Sequence, residues 1–143
     1  MKVIRATKTA EIAGAYYVRI QAMARKHHIS LEQEFDEHDT PSTKYIVVID
    51  DVLPVATCRL YPVDKEIMMV GRIVVLPEYR RQGLGRLVVE SAEDWALELG
   101  FGKMALEARD NKLGFYQKLG YTANYDKILH GETFTCIYME KTL

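Results

Sequence analysis

The chain has 143 residues, 48 % hydrophobic and 27 % charged, with a formal net charge of −1. That size suits one folded domain over residues 1–143 with a core of its own, and the balance excludes a disordered or fibrous chain. It supplies no global field for nucleic acid or anionic membranes, and no apolar run approaches the roughly 20 residues that span a bilayer.

Val3 to Ala6 read as a short first strand, and Ile12, Tyr16, Ile20 and Met23 then recur at helical spacing with Glu11 near the helix start. Lys2, Arg5, Lys8 and Glu11 interrupt the amino terminus before a signal-peptide apolar region forms, and Cys58 and Cys136 lack CxxC spacing. Both features predict a cytoplasmic protein without a disulfide scaffold. The helical period fades over His27 to Ser30, and an irregular helical piece follows until Thr40-Pro41 breaks it. Its acidic run, Glu32 to Asp39, reads either as a solvated face or as an attractor for a cationic acceptor.

Lys44 to Asp50, Val55 to Tyr61 and Ile67 to Leu76 read as three strands of an antiparallel meander, with Gly71 a bulge or a point of close backbone approach. Leu84, Leu87, Val88, Ser91, Trp95 and Leu99 form one helical stripe, ended at Gly100. Lys103 to Ala108 is the next strand, Asn111 to Leu119 a short helix stopped at Gly120, and one or two strands close the chain, the last over Thr133 to Glu140. The order predicts a mixed α/β (α+β) layer structure without internal repeats.

The turn from Val74 to Arg86 carries the most chemistry. It leads from a strand into a helix start, where unpaired N–H groups and the positive dipole end suit an anion. Gly83 and Gly85 permit close approach, while Arg80, Arg81 and Arg86 supply guanidinium groups for phosphate oxygens. The same residues also suit an ordinary turn with a solvated arginine face. A Walker loop is absent, and Val88 stands where a dinucleotide fingerprint needs its third glycine.

Arg80-Arg81-Gln82-Gly83-Leu84-Gly85, reached through Val75-Leu76-Pro77-Glu78-Tyr79, resembles the [RQ]xxGx[GA] acetyl-coenzyme A loop of the GNAT superfamily of N-acetyltransferases. Asn111 and Phe115-Tyr116-Gln117-Lys118-Leu119-Gly120-Tyr121 resemble a second segment of that family. The resemblance implies the GNAT fold, a mostly antiparallel mixed sheet flanked by helices and splayed between the strand ending at Val75 and the strand from Lys103. It implies that Ile73, Val74 and Val75 hold the pantetheine by exposed backbone groups, that Asn111 adds an amide contact, and that Arg80 to Arg86, with Gln82 and Leu84 included, take the pyrophosphate. Tyr116 would be the proton donor to the coenzyme A thiolate, where a packing tyrosine is the plain alternative.

Val18-Arg19 through Asp39 is similar to a small bacterial branch with VRxxVFxxEQxxP followed by an acidic stretch, but Lys26-His27 replace Glu-Gln and Ser30 replaces Pro, so that branch's acceptor site does not carry over intact. No strand glutamate stands among Met68-Met69-Val70-Gly71-Arg72 to serve as base, which leaves Glu66, Glu107, His27, His28 and His130 open. The histidines lack metal-ligand spacing, so no metal is expected. The expected activity is acetyl transfer from acetyl-CoA to an amine acceptor, with a non-catalytic acyl-CoA sensor as the alternative and a homodimer left open by the sheet edge.

Overall fold

A computed structural model describes residues 1–143. Its seven strands form one sheet in the order β1-β2-β3-β4-β5-β7-β6: β1 (Lys2–Ala6), β2 (Lys44–Asp50), β3 (Leu53–Pro62), β4 (Ile67–Val75), β5 (Lys103–Arg109), β6 (Thr122–His130) and β7 (Thr135–Thr142). Every neighbouring pair is antiparallel except β4 and β5, which run parallel.

β2 and β3 are buried on both faces, and their β-branched and apolar residues explain why. Ile46, Val48 and Cys58 belong to the main core with α4 (Leu84–Glu98), while Tyr45 and Val47 pack with Ala15 of α1 (Thr9–Arg19) on the other side. Alternate side chains of a strand point to opposite faces, so two covering helices bury all of them. From α1 the chain continues through a π-helical turn, Ile20–Ala24, into α2 (Arg25–His27), which ends where His28 turns left-handed, and α3 (Leu31–Glu34) follows.

Three expectations need correction. The bulge in β4 falls one residue beyond Gly71: Arg59 pairs with Gly71 and Thr57 with Val74, which leaves an extra residue in β4, and Arg72 takes φ 45°. The buried stripe of α4 runs through Leu84, Val88, Ala92 and Ala96, while Leu99 is 46 % exposed. Leu99 is the C-cap residue just past Glu98, and Gly100 at φ 93° closes the end, with the Phe101 N–H donating to the Ala96 carbonyl at 3.0 Å.

The acidic run is the third. Arg19, fully buried, donates to Glu34 Oε2 at 3.0 Å and to both Asp39 oxygens at 2.7 and 3.0 Å. Arg59 donates to Asp36 and Asp39, and Arg72 to Asp36 and the Glu34 carbonyl. Three of the run's five carboxylates are thus matched by three guanidiniums, so the run is not simply a solvated face. Glu32 and Glu37 alone keep the expected exposure among its glutamates.

Candidate active site

β4 and β5 pair only over Ile67–Met69 and Lys103–Ala105. Beyond that point the strands part, so the β5-facing N–H and C=O groups of β4 up to Val75 are left without a ladder partner. The opening is one wall of a cleft of about 1230 Å³. Past the parting, β4 carries the bulge at Arg72, and the backbone cost of a left-handed arginine, about 1–3 kcal/mol, is offset by its hold on α3. The Arg72 Nε and Nη2 groups donate to the Glu34 carbonyl at 3.1 and 2.9 Å.

At the far end of β4 the turn predicted from the sequence forms the second wall. Pro77–Tyr79 make a single 3-10 turn, Arg81 adopts φ 63° and Gly83 φ 79°, and α4 starts at Leu84. No backbone N–H from Gln82 to Arg86 has an acceptor within the chain, and Leu87 is the first to bond back, to Gly83 at 3.0 Å. Alternating left-handed residues before a helix start make a concavity of N–H donors suited to an anion. A Cβ on Gly83 would meet nothing within 4 Å, so the space in front of that backbone is open. Of the arginines, Arg80 turns back to the Val75 carbonyl at 3.3 Å and Arg86 pairs with Glu90 at 2.9 Å, both exposed. Ile73, Val74, Val75, Arg80, Arg81, Gly83, Leu84, Gly85 and Arg86 all line the cleft, and Gln82 does not.

Asn111 and Tyr116 reach the same cleft from the 3-10 turn Asp110–Lys112 and from α5 (Leu113–Lys118). The Tyr116 ring meets Phe115 edge-on at 5.0 Å and Tyr121 at 6.3 Å. Burial pushes its phenol up to about 12, so it is protonated throughout the physiological range. Tyr45, Tyr79, Tyr121 and Tyr138 donate to carboxylates, whereas the Tyr116 hydroxyl has no acceptor in the chain. A half-buried ring with a free donor facing a cleft is an arrangement that can stabilise developing negative charge.

Of the five candidate bases, His27 and Glu107 line the cleft, and Glu66, His28 and His130 do not. Burial, with Arg109 and Lys26 nearby, lowers the His27 pKa, which leaves the imidazole neutral near pH 7. Glu107 is exposed on β5. Two features escaped the sequence reading. One is the ion-pair network that anchors α3 to the bulge, whose partners are too distant in the chain to pair by eye. The other is Arg109, a cleft residue whose only sequence signal is a charge ending the largely apolar strand Met104 to Ala108.

Comparison with known proteins agrees with this architecture. The Acetyltransferase (GNAT) family model matches residues 8–121. YyaT of Bacillus subtilis, described as uncharacterized, is 34 % identical over 123 residues, covering 85 % of this chain and 82 % of its own. The crystal structure of a Lactobacillus plantarum protein assigned as an N-acetyltransferase superposes with a TM-score of 0.92 at 30 % identity, over 99 % of this chain and 97 % of that one. A GNAT family acetyltransferase from Elizabethkingia anophelis, solved with acetyl-CoA bound, shares the fold with a TM-score of 0.74 at 19 % identity, over 99 % and 97 % of the two chains.

Proposed function

Since the chain belongs to the GNAT acetyltransferase family, we propose that it moves the acetyl group of acetyl-CoA directly onto a primary amine of a small molecule or peptide, with Tyr116 acting on the departing thiolate. The observation that carries this reading is the continuity of one cleft from the free N–H groups at the start of α4, past the unpaired edge of β4, to the Tyr116 hydroxyl. Its two ends match the coenzyme's two chemistries. The α4 start, with Arg80, Arg81 and Arg86, suits a pyrophosphate, and the open edge of Ile73 to Val75 suits the amides of pantetheine, to which Asn111 adds a side-chain amide.

The reaction breaks the thioester C–S bond and forms a C–N bond, and the amine loses a proton. An alkyl ammonium near ~10.4 costs roughly 4 to 5 kcal/mol to present neutral at pH 7, and His27 and Glu107 are the candidate groups in the cleft able to take its proton. As the C–S bond opens, charge collects on sulfur, and Tyr116 donates a hydrogen bond to it. With the phenol at about 12 and a thiol near ~8.5, transferring the whole proton is uphill by about 5 kcal/mol. The stabilisation therefore comes from the hydrogen bond, and the proton balance is closed by the one the amine releases.

Free-thiol release from acetyl-CoA across a panel of amines, with calorimetry of acetyl-CoA binding alongside, tests the proposal. Amine-dependent thiol release is expected. Tight acetyl-CoA binding with no transfer to any amine would instead favour a sensor.

A further inference from the structure

On the acceptor side of the cleft, opposite α4, one guanidinium stands without a carboxylate partner. Met104, Leu106 and Ala108 of β5 point into the core, so Glu107 and Arg109 face the other way, toward the first helical segment and the β6–β7 turn. The Arg109 guanidinium lies 3.6 Å above the centre of the Phe134 ring, and its single hydrogen bond is a weak one, from Nη2 to the Met23 Sδ at 3.5 Å. It forms no ion pair, although Arg19, Arg59 and Arg72 all have carboxylates. His27 packs edge-on against the same Phe134 ring at 5.3 Å and completes the enclosure.

A guanidinium stacked on an aromatic face has that flat side covered and offers its edge, where the N–H groups form a planar fork. That fork matches a carboxylate through two parallel hydrogen bonds. Burial lowers the Arg109 pKa without discharging it, and Lys26 lines the same cleft. A polycationic acceptor would bring more positive charge to this wall. Glu107 is two residues back on the same face, about 7 Å along the strand. It makes no ion pair of its own, and the gap between the two side chains suits a group carrying both charges.

We propose that Arg109 binds a carboxylate of the acceptor, so that the amine acetylated in this cleft belongs to an amino acid or to a peptide presenting a free carboxylate. The inference rests on the transferase reading of the cleft and narrows its substrate class.

Matched pairs test it: free amino acids against their α-amides, with cadaverine as the dicationic control and O-phosphoethanolamine as the phosphate control, each assayed by thiol release. Carboxylates are expected to be preferred over their amides. Arg109→Gln should raise KM for the carboxylate member by about thirtyfold or more, about 2 kcal/mol, with kcat within a few-fold and the amide unaffected. Arg109→Lys, which keeps the charge and loses the fork, should recover part of the loss. Circular dichroism and acetyl-CoA affinity report on folding, and both should match the wild type. Equal use of acids and amides, preference for cadaverine, or preference for O-phosphoethanolamine overturns the carboxylate assignment while leaving the transferase intact. A parallel fall in acetyl-CoA affinity in a folded Arg109→Gln variant moves Arg109 to the coenzyme and also overturns it. Absence of transfer to every amine by a protein that binds acetyl-CoA overturns the transferase reading and this one with it.

Discussion

Replacing Tyr116 with Phe removes one oxygen and leaves the ring. The edge-on contacts to Phe115 and Tyr121 persist, and because the hydroxyl has no acceptor within the chain, its loss orphans no buried partner. Stability should therefore change by no more than about 0.5 kcal/mol, and acetyl-CoA affinity by less than about twofold. The catalytic cost follows from the phenol's own acidity. A group held at about 12 cannot easily yield its proton to a thiolate, so what disappears is a hydrogen bond to a charge, worth about 1.5–3 kcal/mol, or roughly 10- to 150-fold in rate. This lies at or below the bottom of the range of about 10² to 10⁴ typical of general acids. Single-turnover acetyl transfer is the appropriate assay, since slow product release would mask the chemical step in steady state. Wild-type single-turnover rates in the variant would refute the role. So would a basic limb between pH 9 and 10 that vanishes in Tyr116→Phe, because burial should keep that limb above about pH 11.

Gly83→Val should weaken acetyl-CoA binding by at least about tenfold in calorimetry on a folded protein, because it places a branched side chain at φ 79° in the open space before the α4 N–H groups. Raising ionic strength should weaken acetyl-CoA binding, and Arg81→Gln should flatten that dependence, since exposed guanidinium–phosphate attraction is screened. Asp39→Asn should cost about 1.5–3 kcal/mol in denaturant unfolding, because Arg19 and Arg59 each lose a charged hydrogen-bond partner while keeping Glu34 and Asp36. Burial alone would raise the Asp36 and Asp39 pKa values, but hydrogen bonds from Arg59 and Arg19 hold both below the usual range. Their contribution to stability is thus present above about pH 4 and drains away as pH falls through the unfolded value near ~3.9 toward the lower folded ones. A thermal midpoint that stays flat from pH 6 to 2.5 would refute the coupling.

How much of this could be read from the chain depended on how local the cause was. The α4 start was legible because its glycines, arginines and preceding proline lie within ten residues, and the turn they dictate forms its own donors. Tyr116 was legible through the segment around it, though its free hydroxyl was not. The acidic run misled because its partners sit 15 to 38 residues away, on α1, β3 and the β4 bulge. Composition alone cannot show that Glu34 is 3 % exposed. β6 had no outline of its own: most of its residues are exposed and it joins β7 through an irregular register, so the alternation that marks a half-buried strand is missing. The displacement of the bulge from Gly71 to Arg72 has the same origin, since tertiary hydrogen bonds to α3 outweigh the glycine's conformational advantage.

The sheet order also governs when the cleft can exist. β7 is the seventh strand to be synthesised yet lies between β5 and β6, pairing with β5 along its whole length. During translation, the meander β1 to β4 has every antiparallel neighbour it needs early on, whereas β5 has only its short parallel seam until β7 emerges from the ribosome. The strand that carries one wall of the cleft is therefore the last to be locked. A nascent chain halted before Thr135 would hold the Arg80–Arg86 turn next to a folded meander but leave Arg109, Asn111 and Tyr116 unanchored, so the two ends of the cleft would form in that order.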